Sequence, residues 1–409
     1  MSLPLDGVRV LEYSQYVAGP FAGMLLADLG ADVIKVESPR GDAWRRYEPF
    51  AEGQSRAFYA LNRNKRSVVL DLKTEEGRRA SRALQATADA VVHNVPPERA
   101  ARYGLDRESV AAANPRAVWC MVSALGTDGP DAGLTAFDLV AQALSGLLLA
   151  DARPGDPHPR RAGGIAMADF TAGLLAAVSV LAGLVGRGRE APGVEVSLLG
   201  AALAVQAQRF VAVGGEPARA AAGPATPGDI AAHAAGVRAS EDLEPYYRAY
   251  RAADGFFVLT CLNEGQRRAT LAVLGLEDAF VANPQAEPAS AAERAVRRRL
   301  VERFEELLAS SPAAHWIGRL RAAGVPAAEV RTLERLYEDP QARANGLVQE
   351  VDAPGVDGVR LLGGIFKVDG APAAARRGVP GLGEHTAEVL DALAADRLTT
   401  PPNDDDRIR

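Results

Sequence analysis

Cysteine is nearly absent from this chain: 409 residues carry only Cys120 and Cys261. Each sits in an apolar run, AVWCMV and FFVLTCL, so both read as buried reduced thiols with no disulfide framework. Histidine is as sparse. His93, His158, His233, His315 and His385 are scattered without an HExxH or other ligand spacing, and no metal site is expected. Excess positive charge is also lacking. A formal net charge of -6 gives no electrostatic footprint for nucleic acid or an anionic membrane, although one local basic pocket remains compatible with it. The longest apolar stretch, Ala172 to Gly186, has about 15 residues, short of the roughly 20 that cross a bilayer, and is expected as a buried helix. The start MSLPLDGVRV has neither the charged nor the apolar region of a secretory leader, so the cytoplasm is the expected address. Also absent are a GxxxxGK[ST] loop, a GxGxxG after the first strand and a GxSxG elbow, so fold alone will not name the chemistry.

With 48% hydrophobic and 24% charged residues the composition is that of a soluble globular protein of two to three domains. Its first 125 residues alternate strand and helix. Val8 to Tyr13 is a β-type run, and Pro20 then suits the first turn of a helix, where its missing N–H costs nothing. Met24, Leu25, Leu26 and Leu29 give an apolar stripe, Gly30 a left-handed cap, and Val33 to Val36 the next strand. Further strands are expected at Ser67–Leu72, Ala90–His93 and Ala117–Ser123, with helices opening at Thr74 and spanning Arg107–Asn114. The class is α/β with a doubly wound parallel sheet, whose ligands gather at the strands' carboxyl ends. Two buried helices are expected at 137–150 and 170–186, and a strand at Val194–Leu199. Residues 214–240 read as a linker or mobile loop, and a strand at Phe256–Leu262 with a helix at Glu264–Leu274 opens a second α/β segment. Arg297-Arg298-Arg299 reads as a solvated helix face or a phosphate site, and Asn403–Arg409 as a disordered tail.

Two aspartates open apolar segments. Asp169 stands in RAGGIAMADFTAG and Asp138 in TAFDLVAQALSG; each is a helix cap, a reactive carboxylate beside small residues, or both. Arg40, Asn62-Arg63-Asn64-Lys65, Asn94 and Arg102 lie near predicted strand ends, where basic and amide groups could hold nucleotide phosphates.

Taken in order, LDGVRVLE, VAGP, LADLGADVIKVE, NRNKRSVVLDLK, NVPP, RYGL, SALGTDGP, the Asp169 segment, AGVP, DPQ and PGLGEHT resemble the class III coenzyme A transferases. That family includes formyl-, carnitine- and succinyl-type transferases and the α-methylacyl-CoA racemases. The resemblance implies a Rossmann-like large domain, a smaller α/β domain and an interlocked homodimer. It places the large domain at 1–200, a linker at 201–240, the small domain at 241–330 and a returning segment at 331–409. Asp169 falls at the nucleophile position. Val17, Ala18, Arg40, Asn62, Arg63, Asn64, Lys65, Asn94, Arg102, Phe137 and Asp138 fall at or beside coenzyme A contacts. Coenzyme A is then a co-substrate with no tightly bound cofactor, and the partners are an acyl-CoA donor and a small carboxylic acid.

The implied reaction moves coenzyme A between acids through an aspartyl anhydride and an aspartyl thioester, with Asp169 ionised at neutral pH and Gly163-Gly164, or another nearby loop, offering oxyanion donors. Val17 replaces a Gln found in some relatives, and the glycine-rich active-site loop of the formyl transferases has no counterpart in 214–240. The alternatives are a 2-methylacyl-CoA racemase, opposed by Phe137 where racemases carry His, and a catalytically silent CoA-binding protein.

Overall fold

The computed structural model describes residues 2–395 except 154, 189, 212, 215–223, 242, 285–287, 355 and 374. The expected tail at 403–409 lies outside them. Two compact units divide the chain, the first formed by Met1–Ala150, Arg160–Arg219 and Tyr337–Arg409, the second by Asp151–Pro159 and Ala220–Leu336.

In the first unit β1 (Arg9–Tyr13), β2 (Asp32–Glu37), β3 (Arg66–Val69), β4 (Ala90–His93), β5 (Val118–Ser123) and β6 (Gly193–Ser197) form one sheet in the order β3-β2-β1-β4-β5-β6. Every pairing is parallel. That order reverses direction between β1 and β4, which opens a crevice at their carboxyl ends. Gly30 ends helix α1 (Ala18–Asp28) at φ 115°, a backbone state that favours glycine. Helices α2 (Glu75–Gln85), α3 (Pro97–Tyr103) and α4 (Arg107–Ala113) follow, and Thr74 and Asp106 cap the first and third of these through their side chains.

Beyond β5 come α5 (Asp138–Leu144), α6 (Met167–Gly186) and α7 (Leu198–Ala204). Helix α6 has 20 residues, three more at its start than the expected 170–186, and is long and apolar enough by length and composition to cross a bilayer. It is nevertheless a core element on one face: Ala168, Ala172, Ala176, Val180 and Gly183 are buried. Small residues there let it approach closely. A Cβ on Gly173 would sit 2.7 Å from the Ala18 carbonyl, and one on Gly183 2.6 Å from Val118. Its other face is open, with Val178 60% exposed, so the expectation of full burial holds for only half of the helix.

The second unit holds α8 (Pro227–Glu241), β7 (Tyr247–Ala252), β8 (Gly255–Thr260), α9 (Glu264–Leu274), α10 (Ala291–Leu308), α11 (Ala313–Ala322) and β9 (Ala327–Glu329). Its sheet is antiparallel, β9-β8-β7, over a core including Tyr250, Phe257, Phe304, Trp316 and Leu320. Helix α8 corrects the reading of 214–240 as linker throughout. Alanine has the highest helix propensity, and Thr226 and Asp229 exchange the hydrogen bonds of a capping box. Of the arginine run, Arg297 is neither solvated nor a phosphate ligand. It is buried, donating to Glu293 and to the Pro284 carbonyl.

Candidate active site

A cavity of about 450 Å³ lies at the carboxyl ends of β1, β2, β4 and β5, lined entirely by the first unit. Its floor is the β1–α1 turn. Tyr16 there adopts φ 70°, a strained state for a residue with a side chain, and its N–H donates to Asp42 Oδ1 at 3.2 Å. Asn94 clamps the same turn, accepting from Gln15 N–H at 3.1 Å and donating to the Gln15 carbonyl at 2.8 Å. Val17 and Ala18 then start α1, whose N-terminus has no side-chain cap and faces the cavity with unsatisfied N–H groups.

Asp169 reaches the same cavity from the first turn of α6. Asp138 stands behind it at the start of α5, buried. One Asp138 oxygen accepts the N–H of Ala168 at 2.9 Å and of Asp169 at 3.4 Å, so this residue caps α6 rather than its own helix. The other accepts from Gln142, fully buried one turn on, whose amide also donates to the Ile165 carbonyl and accepts from Ala162 N–H. Burial, then the nearby charge of Asp138, push the Asp169 carboxyl up from 3.8 to about 7, with Arg161 opposing them. The side chain is therefore far less acidic than the ordinary aspartate assumed from sequence.

Asp169, Val17, Ala18, Asn94 and Phe137 thus meet at one cavity, with Asp138 in support. The run Asn62 to Lys65 does not come to it. Arg63 pairs with Asp28 at 2.6 Å and donates to the Gly363 carbonyl, while Lys65 pairs with Glu12 at 2.7 Å and donates to Asn62 and to the Pro20 carbonyl. Asn64, at φ 65°, accepts the N–H groups of Arg376 and Arg377. All four are buried, so their polar atoms brace the fold instead of meeting a ligand. Lys35 completes the network between Glu12 and Asp42 at 2.8 and 2.9 Å. Despite burial, the Arg45 and Lys35 charges hold Glu37, at its edge, down at about 2.

Arg40 and Arg102 are exposed and lie outside the cavity wall. Arg99 and Tyr103 of α3 and Lys73 line it instead, and they were missed by sequence reasoning, together with Tyr16, Gln142 and Arg161. Helical phase gave no signal here, since positions 102 and 103 are both one turn from 99. Gly164 spends its N–H on the Arg161 carbonyl at 3.0 Å, which removes it as an oxyanion donor.

Comparison with known proteins decides the class. The model of CoA-transferase family III matches residues 5–386. The chain belongs to CoA-transferase family III. The transferase is 34% identical to the succinate–glutarate CoA-transferase of Agrobacterium fabrum, over 98% of each chain. It is 30% identical to the acetyl-CoA:oxalate CoA-transferase of Acetobacter aceti, over 96% of each. Among solved structures, a CAIB/BAIF family protein from Brucella suis superposes with a TM-score of 0.74 at 32% identity, covering 96% of this chain and 100% of that one. The transferase is accordingly an enzyme that uses coenzyme A as co-substrate, with an acyl-CoA donor and a carboxylate acceptor.

Proposed function

We propose that Asp169 carries coenzyme A covalently between two acids. The observation that supports this is a carboxylate with a raised pKa in a cleft whose other wall is the uncapped N-terminus of α1. The ionised Asp169 attacks the thioester carbonyl; a C–O bond forms, the C–S bond breaks, and the thiolate leaves with the electron pair. Thiolate then attacks the Asp169 carbonyl of the mixed anhydride, forming the enzyme thioester and expelling the donor's acid. The acceptor carboxylate repeats both steps in reverse. Covalent catalysis replaces one hard exchange by easier ones. A pKa near 7 makes the carboxylate a stronger nucleophile than an ordinary aspartate while leaving a working ionised fraction. The Ala18 N–H, at the cavity and in the first turn of α1, is the oxyanion donor in this scheme.

Lys73 and Arg99 take the phosphates of coenzyme A. The free acids named for two relatives, glutarate with succinate and oxalate, are short dicarboxylates, and these are the first to assay here. A racemase would need a second acid–base group, and the position before Asp138, where the racemases carry His, is Phe137 here. Leu139, Val140 and Leu144 of α5 and Leu174 and Val178 of α6 are exposed, which supports a homodimer, interlocked as in the resemblance. Sedimentation at twice the 43.0 kDa chain mass tests that part. Mass spectrometry tests the chemistry: acyl-CoA without acceptor should add coenzyme A to Asp169 with loss of water, and a peptide left unmodified under turnover conditions would refute the covalent carrier.

A further inference from the structure

Arg161 keeps its hydrogen-bond donors uncommitted beside the Asp138–Asp169 pair. Its side chain is 46% exposed, its nearest partner is Asp138 Oδ2 at 3.7 Å from Nε, and it has no hydrogen-bond acceptor among the described residues. That separation is an ion pair without a hydrogen bond, so the fork of donors is left for something else. Its position is set from both sides. Its carbonyl accepts Gly164 N–H at 3.0 Å, and the next residue, Ala162, is buried and donates to Gln142 at 2.9 Å. The turn carrying Arg161 is thereby fixed to the Asp138–Gln142 pair that also holds Asp169.

We propose that Arg161 is the docking point for the free carboxylate of the incoming acid, and that it becomes available for this when Asp169 is converted to its coenzyme A thioester. The inference rests on the covalent reading above. In the free enzyme two carboxylates, Asp138 and Asp169, face one guanidinium, and a third carboxylate is repelled. Forming the thioester removes the Asp169 charge, leaving Arg161 opposite Asp138 alone, at the positive end of the 20-residue α6. A planar guanidinium then binds one carboxylate oxygen while the other attacks the Asp169 carbonyl; the C–O bond forms as the C–S bond breaks and the thiolate departs. The same charge logic orders the reaction, because the acceptor acid binds only after the donor has been used.

The test is equilibrium binding of glutarate, by calorimetry at pH 8 with saturating coenzyme A, to the parent, Asp169→Asn and Asp169→Asn/Arg161→Gln proteins. The neutral amide stands in for the uncharged thioester. Asp169→Asn should bind glutarate at least tenfold more tightly than the parent, and adding Arg161→Gln should cancel the gain. In turnover, Arg161→Gln should lower kcat/KM for the acceptor at least tenfold, with Arg161→Lys in between, and should slow the donor half-reaction as well, because the donor's acid leaves by the reverse of the same step. Unchanged glutarate affinity on adding Arg161→Gln to Asp169→Asn, or an unchanged kcat/KM for the acceptor, overturns the proposal. Trapping the Asp169 adduct separates the two ideas. If it forms in parent and Arg161→Gln alike, a failure concerns Arg161 only; if it forms in neither, the covalent reading fails first.

Discussion

Asp138 anchors the backbone of Asp169 and opposes its side chain: its oxygen accepts the Asp169 N–H at 3.4 Å while its charge helps drive the Asp169 carboxyl up to about 7. Asp138→Asn keeps an acceptor oxygen for Ala168 and Asp169 but removes the charge. The acid limb of the kcat/KM profile for acyl-CoA should then move to lower pH, with the larger share of the rise, from burial, remaining. A limb that stays in place would show that Asp138 acts only as a cap. Asp138→Ala loses the cap as well and should cost about 1 kcal/mol of stability.

Asp169 itself is costly to the fold. An acid whose folded pKa lies above its unfolded one binds more protons when folded, so stability falls as pH rises from about 4 to about 7. Asp169→Asn should therefore abolish transfer, retain coenzyme A binding, and stabilise the protein at pH 8 by on the order of 3 kcal/mol. At pH 4 the two proteins should unfold at the same denaturant concentration. Destabilisation at pH 8 would contradict the raised pKa.

Strand and helix order was legible because apolar runs and their stops are local: Thr74, Asp106 and Gly30 end or begin elements through their own chemistry. The meeting of Asp169 with Ala18 followed from parallel strands ending at one edge. The fate of Asn62 to Lys65 was not legible. A polar run reads as solvent- or ligand-facing until its partners arrive, and those partners lie far off in sequence: Glu12, Pro20 and Asp28 upstream, and Gly363, Arg376 and Arg377 some three hundred residues later. The raised pKa of Asp169 was equally invisible, since it comes from burial and from Asp138, 31 residues away.

The buried cations make an opposite prediction to ligand-binding ones. Arg63→Met strands Asp28, and Lys65→Met leaves Glu12 with Lys35 alone. Each should lower the unfolding free energy by about 3–5 kcal/mol, the cost of uncoupling a buried pair. The KM for acyl-CoA of the molecules that remain folded should not change. A rise in KM with unaltered denaturant midpoint would place these side chains at the ligand after all.

Arg99 and Arg102 lie within one turn of the same helix, yet only Arg99 lines the cavity. Neither Arg99 nor Lys73 has an ion-pair partner among the described residues, so their charge is available to phosphate. Phosphates are remote from the bond being broken and bind alike in the ground and transition states. Removing such a contact should raise KM for every acyl-CoA while leaving kcat nearly unchanged. A charge-assisted contact of about 1.5–3 kcal/mol corresponds to roughly ten- to a hundredfold in affinity for Arg99→Ala or Lys73→Ala. Arg102→Ala should match the parent within twofold, and thioesters truncated before the nucleotide should be indifferent to all three changes. Steady-state kinetics with the full and truncated thioesters of one acid separate the cases. Should Arg102→Ala raise KM and Arg99→Ala leave it unchanged, the phosphates lie on the other side of the helix and the cavity has been assigned to the wrong end of the ligand.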